Sequence, residues 1–197
     1  MTYLNTKIEN ANFQMIEFIG MISHSFKIKR GHIRQKVAAE WFISNKTENE
    51  EIKTDYKIKA KGIHKRNKHA VDIIRINHSA STVEMFNVKS DGISNTENKF
   101  DTVKLYLAAI KGAEEEWPNY QVSYSILRKN GKIIEEYETH GIKTFDLDKY
   151  VGFDVDLKAE KEFRLHKILY ESMLKTFDKL DVDFDDQLII QKFLFPE

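Results

Sequence analysis

The chain has 197 residues, 41% of them apolar and 12% aromatic, with 31 basic side chains balanced by 31 acidic ones and no cysteine. A length of this order suits one domain, the zero net charge lacks the bulk positive charge of a general nucleic-acid binder, and the missing cysteine excludes disulfides, thiolate zinc sites and cysteine nucleophiles. No apolar run reaches the roughly 18 residues of a membrane span and the N-terminus has no signal-peptide pattern, so no membrane association and a cytoplasmic location are expected.

In chain order, Phe13, Ile16 and Ile19 recur at helical spacing and predict a helix over 6–22, followed by a second over 32–44 carrying Ile33, Val37, Trp41 and Phe42. A polar loop over 45–51 leads to Tyr56, Ile58 and Ala60, which alternate with lysines as a strand with one wet face does. The stretch from Lys53 to Lys68 holds Lys53, Lys57, Lys59, Lys61, Lys65, Arg66 and Lys68 against Asp55, a local excess of six positive charges, whereas the tail from Asp181 carries an excess of four negative ones. Such asymmetry favours a polyanion on one side of the molecule, although lysines also protect a strand edge from aggregation. Two further strands read from His69 to Asn77 and from Thr82 to Lys89, joined by a polar turn.

Ser94 and Glu97 form a capping box that opens a helix with Phe100, Val103, Leu107 and Ile110 on its apolar stripe, and Trp117-Pro118 ends it. Tyr120 to Leu127 alternates as a strand, Asn130-Gly131 is a hairpin signal, and Ile133 to Tyr137 is the expected return strand. A long C-terminal helix is expected from Asp156 to Leu180, with Leu165, Ile168, Leu169, Met173, Phe177 and Leu180 on one face. The order of helix, three strands, helix, two strands and helix predicts an α/β fold, a mixed β-sheet flanked by helices, in a single domain over 1–197.

Asp72 lies between Val71 and Ile73 in a segment apolar on both faces, where an uncompensated carboxylate is expensive. Period-two alternation puts Asn87 and Lys89 on one face of the next strand, so Asp72, Asn87 and Lys89 can converge. A hard divalent cation such as Mg2+ could take the Asp72 carboxylate, the Asn87 amide oxygen, the Val88 carbonyl and waters, with Lys89 orienting or deprotonating a hydrolytic water. The same residues also admit an ion pair between Asp72 and Lys89 and a strand asparagine satisfied within the fold. The seven histidines show no zinc-type spacing, so His64, His69 and His78 read as surface or phosphate contacts; Gly31 and Gly92 belong to no phosphate loop, and Asp181 to Asp186 lacks the calcium-loop pattern.

The D-x14-N-x-K pattern on two neighbouring strands, preceded by one helix and followed by another, resembles the PD-(D/E)XK nuclease superfamily, most of all type II restriction endonucleases, over a core of about 30–128. That resemblance implies a restriction-endonuclease-like core in which Asp72 and Asn87 bind the metal and Lys89 serves the water. Val71 stands where the pattern has proline, and Asn87 is neutral where it has Asp or Glu. A further carboxylate would restore the charge. Glu40, in the helix before the strands, matches a position from which several members project a glutamate, and Glu84 is the other candidate, although it faces away from Asn87 unless a bulge intervenes. The resemblance further implies a Mg2+-dependent endonuclease cutting double-stranded DNA as a homodimer, with Lys57, Lys59, Lys61, Lys65, Arg66 and Lys68 on the phosphate backbone. The alternatives are a non-catalytic DNA-binding protein on the same core, or a nuclease subunit of a transposition, repair or phage-defence complex.

Overall fold

The structure, a computed structural model, describes residues 27–61, 67–89, 99–129, 131, 133–164, 167–168, 171 and 174–175. The chain divides into two compact units: residues 31–159, and residues 1–30 together with 160–197. The first of these carries the sheet.

Helix α1 occupies residues 27–44. Its buried stripe of Arg34, Val37, Ala38 and Phe42 repeats at steps of three and four, which sets the face turned to the sheet. Three strands follow, β1 (Glu50–Lys59), β2 (Lys68–Asn77) and β3 (Thr82–Lys89); then come helix α2 (Lys99–Glu116) and strand β4 (Gln121–Arg128). The remainder of the unit holds α3 (Glu135–Glu138), β5 (Lys143–Asp146), α4 (Leu147–Val151) and the start of α5 (Val155–Phe163). The strands form one mixed sheet in the order β1-β2-β3-β4-β5. The first three are antiparallel neighbours, whereas β4 runs parallel to β3 and β5 parallel to β4. A parallel neighbour requires a crossover, and α2 supplies it between β3 and β4.

One face of the sheet packs on α2. Ile58, Val71, Ile74, Ile76, Val83, Met85, Tyr124 and Ile126 of the strands meet Val103, Tyr106, Ala109 and Ala113 of the helix in one buried cluster. Gly112 allows α2 to lie against β1: a Cβ there would stand 1.9 Å from the Lys59 carbonyl oxygen. On the opposite face Phe42 of α1 packs on Phe86 with ring centroids 4.9 Å apart, and Tyr150 of α4 lies against both rings. The buried Arg34 guanidinium donates two hydrogen bonds of 2.6 Å to the Asp156 carboxylate, tying α1 to the beginning of α5.

Three expectations change. Asn130-Gly131 does not open a hairpin: Gly131 has a positive φ of 56°, but the next segment folds as α3, and the following strand, β5, returns parallel to β4. The apolar residues at 133–137 are too few to fill a sheet position, and Tyr137 is buried against Tyr106 of α2. β1 starts at Glu50, inside the expected loop, because its pairing with β2 extends to Glu50 opposite Asn77. The helix expected over 156–180 is interrupted: α5 stops at Phe163 and Arg164 adopts a left-handed φ of 49°, although no glycine or proline marks the break. The expected helix over 6–22 and the capping box at Ser94 and Glu97 lie outside the described residues. Among the described residues no helix is long and apolar enough to cross a membrane.

Candidate active site

The β2–β3 ladder runs from Asn77 opposite Thr82 to Ile73 opposite Phe86 and stops there, although both strands continue. At the next position side chains take the place of backbone partners. The Asp72 N–H donates to Asn87 Oδ1 at 3.1 Å, and the Val88 N–H donates to Asp72 Oδ2 at 2.7 Å. A buried backbone N–H must find an acceptor, so the two side chains let the strands separate without leaving orphaned donors.

The β1–β2 ladder is disturbed at the same level. Thr54 pairs with Ile73 and Tyr56 with Val71, but the intervening Asp55 and Asp72 are not register partners, and Asp55 has a φ of 50°. The consequence is visible in which side chains share a face. Lys53 lies 5.0 Å from the Tyr56 ring centroid, three residues along its own strand, and Val71 shares the α2-side core with Ile74. Regular alternation would put each of those pairs on opposite faces. The alternation therefore slips by one residue in both strands at the Asp55/Asp72 level. Before the slip on β2 and beyond it on β1, Lys57, Lys59 and Lys68 are exposed beside the buried Ile58.

Asp72 is half-buried, and its pKa is raised above the ordinary carboxylate range. Loss of solvent is the main cause and the Asp55 carboxylate adds to it; the Val88 N–H, the Lys89 ammonium and the Gln35 side chain pull the other way. Asn87 is 4% exposed and hydrogen-bonds the Tyr124 hydroxyl, whose pKa burial pushes far up. His69 meets the same hydroxyl at 2.7 Å. A polar chain thus runs from His69 through Tyr124 and Asn87 to the Asp72 backbone.

Asp72, Asn87, Val88 and Lys89 are brought together, Val88 through its N–H. The helix residue that reaches Asp72 is Gln35. Glu40 is five positions on, about 140° round the helix, and so belongs to another face. Glu84 accepts from Arg75 Nε at 2.7 Å and forms an ion pair with that guanidinium. Lys61 is ion-paired to Glu115 at 3.2 Å, and Lys65 and Arg66 lie outside the described residues. Asp55 is the residue that sequence reasoning passed over, having been counted only as the one negative charge in a basic stretch.

Asp72 offers a half-buried carboxylate with the Asn87 and Gln35 amides beside it, and the exposed Asp55 carboxylate is near enough to raise the Asp72 pKa. Donors of this kind are ones that Mg2+ takes, since it is commonly held by one or two carboxylates and completed by water and phosphate. Among the described residues no group of three or more His, Asp or Glu side chains is placed to hold a metal by itself. No family model matches the chain, and neither the curated proteins nor the solved structures contain a match to it.

Proposed function

We propose that the protein is a Mg2+-dependent endonuclease of the PD-(D/E)XK type that hydrolyses phosphodiester bonds of double-stranded DNA, acting as a homodimer in the manner of a restriction enzyme. The observation that carries the reading is the opening of the β2–β3 ladder at Asp72 and Asn87, with Lys89 close enough to draw down the Asp72 pKa. A purely structural strand pair has no use for it: two backbone rungs would cost less than a desolvated carboxylate. The order α1, three antiparallel strands, α2 and a parallel β4 is the arrangement in which the resemblance places such a site.

In this reading Asp72, with Asp55, would hold the cation, while Asn87 fixes the Asp72 backbone and Gln35 steadies its carboxylate. A cation held there would supply neutralisation of the charge that develops on the phosphate. Lys89 orients a water whose oxygen bonds to phosphorus as one bridging P–O bond breaks; the water's proton leaves to solvent and the departing oxygen takes one up. The exposed Lys57, Lys59 and Lys68 contact the backbone phosphates. Dimerisation brings two sites to the two strands of a palindrome, since one such site cuts one strand.

A second reading, a DNA-binding protein without hydrolysis, has its own support in the engagement of the Asn87 amide with Asp72 and Tyr124. Incubating supercoiled plasmid with the purified chain in Mg2+ or Mn2+ decides between them. Nicking or linearisation that disappears in Asp72→Asn is the expected result. A wild-type protein that binds duplex DNA but never breaks it in either metal overturns the catalytic reading.

A further inference from the structure

Arg128 is 4% exposed, and among the described residues its Nε has no hydrogen-bond partner. Other deeply placed cations of this unit are compensated: Arg34 by Asp156, Arg75 by Glu84, and Lys129 by Asp148 and Asp154. Arg128 forms no such pair with a described carboxylate. Asp146, its register neighbour on β5, accepts instead from the Lys149 N–H as the cap of α4. A buried donor without an acceptor is costly, and a buried guanidinium more so.

On its other side, Arg128 of β4 is the register partner of Lys89 of β3. Tyr124 and Ile126 face the α2-side core, as do Val83 and Met85, so alternation puts Arg128 and Lys89 on one face of two adjacent parallel strands, at their carboxyl ends. Strand neighbours are roughly 5 Å apart, a separation that lets one tetrahedral oxyanion touch both cations. The carboxyl ends of parallel strands are also where α/β sheets receive ligands.

We infer that Arg128 and Lys89 form an oxyanion subsite that grips a phosphate group of the substrate beside Asp72, with Arg128 as a binding residue. The guanidinium fork matches two phosphate oxygens, and the ligand supplies an acceptor that the Nε does not find among the described residues. The inference rests on the nuclease reading for the identity of the phosphate as a DNA phosphodiester, but the oxyanion subsite itself can be tested without turnover.

The test compares the wild-type full chain with Arg128→Met and Arg128→Lys. The first arm is thermal melting in inorganic phosphate and in chloride at matched ionic strength; the second is affinity for a DNA duplex in Ca2+. Phosphate should raise the wild-type Tm and leave that of Arg128→Met unmoved, while Arg128→Lys keeps part of the response. In chloride, Arg128→Met should melt at or above wild type, because it sheds a buried charge that no described carboxylate compensates. Duplex affinity should fall at least tenfold in Arg128→Met. A wild type indifferent to phosphate, an Arg128→Met protein with the wild-type phosphate response, or one that melts several degrees lower in chloride overturns the subsite. Loss of the phosphate response with unchanged duplex affinity overturns the assignment to the substrate. If the phosphate response depends on Arg128 in a protein that never cuts DNA, the catalytic reading fails and the subsite stands.

Discussion

Replacing Asp72 separates a carboxylate kept for its charge from one kept for its hydrogen bonds. Its pKa is raised in the folded protein, chiefly by burial, so its ionisation opposes folding: the stability contribution is full below the unfolded value near 4 and is lost as pH rises through the elevated folded value. Asp72→Asn removes that loss and still offers an oxygen to the Val88 N–H, now met at 2.7 Å. At neutral pH the variant should melt at or slightly above the wild-type temperature, and the difference should vanish toward pH 4. Asp72→Ala also removes the charge but leaves the Val88 N–H, in a residue 4% exposed, without its acceptor. An unsatisfied buried donor costs about 1–3 kcal/mol, and for a unit of this size each kcal/mol shifts Tm by about 4 °C, so Asp72→Ala should melt about 4–12 °C below Asp72→Asn. Circular-dichroism melts of the three proteins from pH 4 to pH 8 give the comparison. If Asp72 were instead the necessary partner of a buried Lys89, Asp72→Asn would strand the ammonium at a cost of about 3–5 kcal/mol. A fall of more than about 10 °C in Asp72→Asn at neutral pH would refute the reasoning, and with it the claim that the carboxylate awaits a cation.

Four further outcomes follow from the same geometry. Asn87→Asp puts a second charge beside Asp72 in a buried position, so the metal-free protein should lose about 1–3 kcal/mol and regain most of it in millimolar Mg2+, read as a metal-dependent Tm that is much smaller in wild type. In the cleavage assay Asp55→Asn should reduce turnover at least a hundredfold, whereas Glu40→Gln should stay within about twofold of wild type, since the α1 residue on Asp72 is Gln35; the reverse ranking would return the metal to Glu40. Replacing Lys57 and Lys59 together with alanine should flatten the salt dependence of duplex binding by about 2 in the log–log slope, while adding Lys61→Ala should change it little more because that ammonium is shared with Glu115. Gly112→Ala drives a methyl into the Lys59 carbonyl, a backbone atom that cannot swing aside, and should cost about 3 kcal/mol in a denaturant titration.

Strands β3 and β4 and helix α2 could be read from the sequence because each carries a run of one period, and β2 because its segment is apolar on both faces; the D-x14-N-x-K spacing placed its members on two neighbouring strands. Elements beyond β4 were legible in smaller part. Asn130-Gly131 is a strong local turn signal, but a local signal does not fix which strand is the partner, and the parallel pairing of β5 with β4 depends on what lies between them. Lysine alternation marked only the last part of β1, since its earlier half owes its strand character to pairing with Arg75, Ile76 and Asn77 rather than to its own pattern.

The site was less legible than the strands for a reason that concerns alternation itself. A period-two reading assigns each residue to a face on the assumption that the count never slips, and here it slips at Asp55 and Asp72 together. That single step moves Lys53 and Tyr56 to one face, lets Val71 join Ile74 in the α2-side core, and frees Asp72 to meet Gln35 from the other side. A positive φ at a non-glycine residue within a strand is uncommon, and aspartate is among the residues that tolerate it. An isolated acidic residue breaking a lysine-and-isoleucine alternation is therefore the one mark that the sequence offered. Its position, matched to that of Asp72 across the strand pair, makes it consequential. Where two neighbouring strands lose their alternation at the same level, each by an aspartate, the backbone brings the second carboxylate near enough to add to the rise in the Asp72 pKa that burial causes, against the pull of Lys89.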